Sequence, residues 1–294
     1  MSIRLTKKVG FCFGVKRAVE MAEEVLKKEG EAHSLGSIIH NTQVVKDLSR
    51  KGLKVIDSID DAASGCIVIS SHGISPHVAD KISKRSLKLV DTTCPFVSNA
   101  QRKARSLSSA GYKVIIVGDV NHPEVKALVD FARQKAYVVK DALGIKRLRI
   151  NPRERIGVLS QTTQSMDNFI ASVGAIIEKK PKELKIVNTI CKDAEERQGA
   201  AQKITRKVDL MLIVGGKNSA NTKRLFDVCK KILSKSYLVE TEADLRSSWF
   251  KNVRAVGITS GASTPDWIVR RVAGEVKKKM NPTRKFQRKE GCKR

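Results

Sequence analysis

Short, mainly apolar runs alternate along this chain with segments in which apolar residues recur every three or four positions. The runs are CIVI leading into SSHG (66–73), YKVIIV (112–117), IGVLS leading into QTT (156–163), VDLMLIV (208–214) and AVGITS leading into GAS (255–263). Bounded by glycine and small polar residues, they read as buried strands. Residues 32–39 read as a further short strand-like piece. The periodic segments read as helices. One carries Met21, Val25 and Leu26 and stops at Gly30, and another runs over 97–110 to Gly111. Others carry Val44, Val45 and Leu48; Val125, Leu128 and Val129; Ala194, Ala201 and Ile204; and Leu225, Phe226, Val228 and Ile232. Strands alternating with helices predict parallel α/β units, whose ligands sit beyond the carboxyl ends of the strands.

The alternation repeats three times. Cys12, Cys94 and Cys191 each enter a helix, and the amides and dipole there favour a thiolate. Counting 28 residues on from each gives His40 (40−12), His122 (122−94) and Ser219 (219−191). Equal offsets argue for a repeated unit. The second strand of each unit ends in small polar residues: His72 in the first, Thr162 and Thr163 in the second, Ser263 in the third. Asn221 lies just beyond Ser219. All of these can face one central site, so the expected architecture is three α/β domains with small, mostly parallel sheets about a pseudo-threefold axis. The expected boundaries are 14–95, 96–190, and 191–276 together with 1–13, followed by a basic tail over 277–294.

The chain has 294 residues, enough for two or three domains. It has no apolar run long enough to span a bilayer and no visible signal peptide, so a cytoplasmic enzyme with no membrane partner is expected. Its six cysteines are scattered, which suggests metal or redox chemistry rather than a disulfide framework. The net charge is +27. It makes polyanions conceivable partners, but the basic residues are spread along the chain and aromatic residues are only 4%, so no specific nucleic-acid site is expected. The one dense basic run is 277–294, with nine basic residues against Glu290.

Three converging cysteines with no fourth in register suggest an iron–sulfur cluster with one iron free of protein sulfur, which can act on a substrate oxygen. Zinc held by three cysteines and a histidine, or three ordinary buried thiols, are the alternatives that spacing leaves open. The histidines, hydroxyls, amide and glycine-rich turns read as an anion pocket suited to a phosphate or diphosphate. Glu124, in His122-Pro123-Glu124, is the one carboxylate embedded in this set. Its expected pKa is raised, which suits a proton donor, while the ordinary role at this place is to offset the helix dipole. Cys66 and Cys229 read as small core residues, and Cys292 lies in the tail.

The motifs VGFCFGVKRAVE, SIIHN, SHG, DTTCP, NHPE, SQTT, NSAN and SGAS, in this order from Val9 to about Asp266, resemble the 4-hydroxy-3-methylbut-2-enyl diphosphate reductase family of the non-mevalonate isoprenoid pathway. The resemblance implies a trefoil of three domains around one 4Fe–4S cluster held by Cys12, Cys94 and Cys191. It implies a diphosphate held by His40, His72, His122, Ser219, Asn221 and Ser263, and proton delivery by Glu124 with Thr162 or Thr163. Two electrons and two protons would remove the hydroxyl as water and leave isopentenyl or dimethylallyl diphosphate. The electrons would come from a ferredoxin- or flavodoxin-type donor. The chain departs from the family pattern at Ala220, where a serine is common; this removes one diphosphate donor.

Overall fold

The computed structural model describes residues 2–62, 64–133 and 136–280. In chain order the strands and α-helices are β1 (Ser2–Leu5), α1 (Phe13–Glu29), β2 (Ala32–Leu35), α2 (Thr42–Arg50), β3 (Leu53–Ile56), β4 (Cys66–Ile69), α3 (Pro76–Lys84) and β5 (Lys88–Asp91). Next come α4 (Pro95–Ser109), β6 (Lys113–Val117), α5 (Pro123–Phe131), β7 (Ala136–Val139), α6 (Ala142–Arg147), β8 (Arg155–Ser160), α7 (Met166–Ile177) and β9 (Glu183–Ile186). The chain ends with α8 (Lys192–Thr205), β10 (Leu210–Val214), α9 (Ala220–Ile232), β11 (Ser236–Val239), β12 (Ala255–Ser260) and α10 (Asp266–Met280).

The strands form three four-stranded sheets, ordered β3-β2-β4-β5, β7-β6-β8-β9 and β11-β10-β12-β1, and every pairing within them is parallel. The fold is therefore α/β, and all three sheets share one topology. The third is completed by the N-terminal strand, with Ser2 opposite Ala255 and Leu5 opposite Ile258.

Alternation along the central strands shows why they are buried on both faces. Val114 and Ile116 of β6 pack with Ala104, Leu107 and Leu128 on one side, while Ile115 and Val117 pack with Ile145, Phe169 and Ile176 on the other. In β10, Leu210, Leu212 and Val214 meet Val269 and Val272, and Met211 and Ile213 meet Leu225 and Cys229. Helices covering both faces of a parallel sheet demand continuous apolar runs.

Cys12–Glu195 form one compact unit, holding the first two sheets; Met1–Phe11 with Glu196–Arg294 form the other, holding the third. Among the described residues no helix is long and apolar enough to cross a membrane.

Two expectations need correction. The strand expected over 32–39 stops at Leu35, because Gly36 turns the chain at φ 67°. The basic run expected as a tail from 277 begins inside α10, which continues to Met280; residues 281–294, with Cys292, lie outside the described residues.

Candidate active site

In each sheet the connections diverge between the two central strands, and a crevice at the carboxyl ends of such strands is the usual ligand site. The residues singled out by spacing are carried to these places. His40 follows β2 and His72 follows β4; His122 follows β6 and Thr162 follows β8; Ser219 follows β10 and Ser263 follows β12. Each cysteine, in turn, follows an edge strand: β1, β5 or β9.

In the unit Cys12–Glu195, the three cysteines sit at helix starts. Cys12 caps α1, its sulfur accepting the Val15 N–H at 3.4 Å. Cys94 caps α4 and Cys191 immediately precedes α8. Their backbones are pinned to the anion-pocket turns: the Cys94 N–H donates to the Ser71 carbonyl at 3.0 Å, and the Cys191 N–H to the Thr162 carbonyl at 2.8 Å. The start of α1 meets Cys94 so closely that a Cβ on Gly14 would lie 2.5 Å from its sulfur, so only glycine fits.

Helix ends do not settle the thiol charge as expected. Burial pushes the Cys94 and Cys191 thiols up, outweighing the amides of Phe96 and Val97 at one and of Ala194 and Asp193 at the other. Glu124 raises Cys94 further, and Cys94 raises Cys191. Half-buried thiols that oppose one another's ionisation suit a bound cation, which deprotonates a coordinating thiol outright. The donor set therefore fits a metal cluster.

The three histidines form a second cluster. Ring centroids are 4.5 Å apart for His40 and His72, 5.5 Å for His40 and His122, and 5.2 Å for His72 and His122. Burial, then the neighbouring His40 and His122, push the His72 ring well below the usual imidazole range. One ring nitrogen from each lies within 4.8 Å of the others, a spacing that by itself would suit a metal ion. Hydrogen bonding decides otherwise. His122 caps α5, its Nδ1 accepting the Glu124 N–H at 3.2 Å, so in the neutral ring the proton is on Nε2, which then acts as a donor. With α2 and α5 also beginning here, at Thr42 and Pro123, the cluster is built to receive an anion.

Glu124 is 1% exposed. The Thr162 N–H donates to its Oε1 at 2.7 Å and the Thr162 hydroxyl to its Oε2 at 2.9 Å. Burial pushes its pKa up to about 7, against the opposing pull of those two bonds. The carboxyl is thus poised between its two forms near neutrality, as a proton donor requires. The same bonds distinguish the two threonines, since Thr162 is buried against Glu124 while Thr163 is half-buried.

In the other unit, Ser219 caps α9, its hydroxyl accepting the Thr222 N–H at 3.3 Å and the Ser263 hydroxyl at 3.4 Å. Asn221 is 5% exposed, and neither its amide nitrogen nor its amide oxygen has a partner among the described residues; nor does the Thr222 hydroxyl. Buried polar atoms left bare are costly unless a ligand completes them. Ala220 opens α9.

Sequence reasoning passed over Thr222, Gln101 and Gln161. Gln161 accepts the Asp119 N–H at 3.1 Å and buries an unpartnered Nε2. Gln101 buries another, against Gly73, where a Cβ would lie 2.5 Å from it and φ is 74°. Gln161 and Thr222 did adjoin named residues, in SQTT and just after NSAN, but only burial reveals their bare atoms. Cys66 and Cys229 are core residues, Cys229 packing with Met211, Ile213 and Leu225.

A family profile described as LytB protein matches residues 3–277. The 4-hydroxy-3-methylbut-2-enyl diphosphate reductase of Pelobacter propionicus is 43% identical over 276 residues, covering 94% of this chain and 98% of its own. That of Syntrophotalea carbinolica is 45% identical over 277 residues, covering 94% and 98%. The solved E-1-hydroxy-2-methyl-but-2-enyl-4-diphosphate reductase from Plasmodium falciparum is 30% identical with a TM-score of 0.88, covering 93% of this chain and 87% of its own. A solved (E)-4-hydroxy-3-methyl-but-2-enyl diphosphate reductase, described as the terminal enzyme of the non-mevalonate pathway, is 38% identical with a TM-score of 0.66, covering 95% and 100%. The chain belongs to the LytB protein family, the oxidoreductases that include the 4-hydroxy-3-methylbut-2-enyl diphosphate reductases.

Proposed function

We propose that this chain reduces (E)-4-hydroxy-3-methylbut-2-enyl diphosphate to isopentenyl and dimethylallyl diphosphate. The balance is R–OH plus two electrons and two protons to R–H plus water. One 4Fe–4S cluster held by Cys12, Cys94 and Cys191 would relay electrons and offer an electrophilic metal beside the carbinol. The remaining work falls to the chain's own side chains. His40, His72 and His122 bind the diphosphate. Ser219, Asn221 and Ser263 are assigned to the same anion by their chemistry and by the family resemblance. Glu124 holds the proton at its carboxyl, and Thr162 fixes that carboxyl in place through the two bonds described above.

The observation that carries the reading is the buried Glu124–Thr162 pair, with a carboxyl pKa of about 7, two residues beyond a histidine of the anion cluster. A reductive dehydroxylation of an allylic diphosphate needs an anion grip and a proton source in one water-poor place.

The test is anaerobic purification with cluster reconstitution, followed by incubation with the hydroxymethylbutenyl diphosphate and a reduced viologen. Formation of both five-carbon diphosphates supports the reading. A brown, cluster-loaded protein that turns over none of this substrate overturns it, and a colourless protein holding zinc overturns the cluster.

A further inference from the structure

Two large apolar side chains stand in water beside the cysteines. Phe13 is 66% exposed and Phe96 is 44% exposed. Phe13 adjoins Cys12 and opens α1; Phe96 is the second residue of α4, two beyond Cys94. The two helix starts are joined, by the close approach of Gly14 to the Cys94 sulfur and by Arg17, whose guanidinium donates to the Thr93 carbonyl at 3.2 Å. Pro95 and Lys16 are exposed on the same two starts. An aromatic pair is an expensive thing to leave in water, and its place beside half-buried thiols is where electrons would enter.

Within the first turns of α1 and α4 the charge has one sign. Neither α1 nor α4 has an acidic residue in its first turn, although the dipole favours one there. The positive ends of two helices, with Lys16 and Arg17 on the first of them, carry the two phenylalanines. The nearest acid on α1 is Glu20, 3.7 Å from Lys16 in an exposed pair of little strength. Behind this lies the net charge of +27.

We propose that this face docks an acidic, low-potential electron-carrier protein that presents an apolar patch ringed by carboxylates. Phe13 and Phe96 supply the buried centre of the contact, and Lys16 and the helix ends steer the encounter. The assignment rests on the reductase reading. Each encounter oxidises one carrier by one electron. Two encounters supply the two electrons that, with two protons, replace the substrate's C–O bond by C–H and release water. A contact of this kind is small and transient, so its strength depends on few residues.

The test uses the cluster-loaded full chain and a reduced plant-type 2Fe–2S ferredoxin as the carrier, with reduced methyl viologen as a carrier that needs no docking. Variants are Phe13→Gln, Phe96→Gln and Lys16→Glu, with Lys146→Glu on α6 as the control for net charge. The expected result is a ferredoxin KM raised about tenfold in the first three and within about twofold in the control. Viologen-driven turnover and cluster absorbance should be unchanged throughout. Ferredoxin binding, followed by calorimetry without substrate, should weaken in parallel and should weaken with salt in the parent. A ferredoxin KM unchanged in Lys16→Glu and in both phenylalanine variants overturns the proposal. So does an equal loss with both reductants in Lys16→Glu, an exposed change that the fold tolerates. Failure of viologen-driven turnover in the parent protein would instead count against the reductase reading.

Discussion

Replacing Glu124 by glutamine separates chemistry from packing with two independent readouts. The glutamine Oε1 can accept the Thr162 N–H and its amide can donate to the Thr162 hydroxyl, so the site stays filled and bonded. What changes is the proton. Burial raises the Glu124 pKa from 4.5 to about 7, so the folded state holds this proton more tightly than the unfolded chain does. Below pH about 4.5 the carboxyl is neutral in both states and costs nothing. Between about 4.5 and 7 the unfolded chain ionises first, and the parent loses stability as pH rises; above about 7 the loss is complete. The shift of roughly 2.5 units is worth about 3 kcal/mol. Glutamine has no such loss. The stability of Glu124→Gln relative to the parent should therefore climb between pH 5 and pH 8. For a unit of this size that is a gain in relative Tm of about 6–12 °C at most. Turnover should move the other way, falling by about 10²–10⁴. The parent's decline in rate above pH about 7, where the acid form disappears, should vanish in the variant. Thermal denaturation followed by circular dichroism at both pH values, with viologen-driven turnover on the same samples, measures both. A Tm difference that is the same at pH 5 and pH 8, with a near-normal rate, would refute the reasoning and leave Glu124 as a first-turn carboxylate offsetting the α5 dipole.

Three further outcomes are expected. Cys12→Ser, Cys94→Ser and Cys191→Ser should each abolish the brown absorbance and the activity, while Cys66→Ser and Cys229→Ser keep both; full iron content in Cys94→Ser would contradict the assignment. Thr162→Val removes a hydroxyl that lowers the Glu124 pKa, so the pH at which turnover declines should move upward, and an unmoved or lowered decline would show that this bond does not set the proton affinity. Asn221→Leu deletes two buried amide atoms that have no partner among the described residues, each costing about 1–3 kcal/mol when bare. Stability in urea should hold or rise while calorimetric binding of inorganic pyrophosphate weakens at least tenfold, and a protein destabilised with binding intact would show that the amide serves the fold instead.

Much of this fold is legible in the sequence, for a physical reason. A helix followed by a central strand and its turn consumes a nearly fixed length of chain. Equal spacing from Cys12 to His40, from Cys94 to His122 and from Cys191 to Ser219 therefore reported equal backbone units. Central strands such as β6 and β10 announce themselves because both faces are buried. The outer strands β3, β7 and β11 did not, because an edge strand is buried less completely: β3 exposes Lys54 and Val55, β7 exposes Tyr137, and β11 leaves Tyr237 and Leu238 half-buried. The choice between Thr162 and Thr163 was likewise closed to sequence, since neighbours in a turn differ only in which way the chain points them. The thiol charge was misjudged because the pattern shows a helix start but not how deeply it is buried.

The three sheets show how one backbone plan yields unlike chemistry. Parallel order with the same switch point recurs in each, so the positions offered to a ligand are the same three times over. Side chains alone break the equality. The first sheet offers two imidazoles, His40 and His72; the second an imidazole, a carboxyl and a threonine; the third only hydroxyls and an amide. Neutral donors can hold an anion in any of these places, but a carboxyl beside an anion is repelled unless it carries its proton. Glu124 is a buried acid so placed, and burial rather than a neighbouring charge raises its pKa, opposed by two bonds from Thr162. A carboxyl tuned by solvent exclusion gains and loses its proton as water enters or leaves. At 1% exposure Glu124 already has that exclusion, so the fold itself favours the acid form.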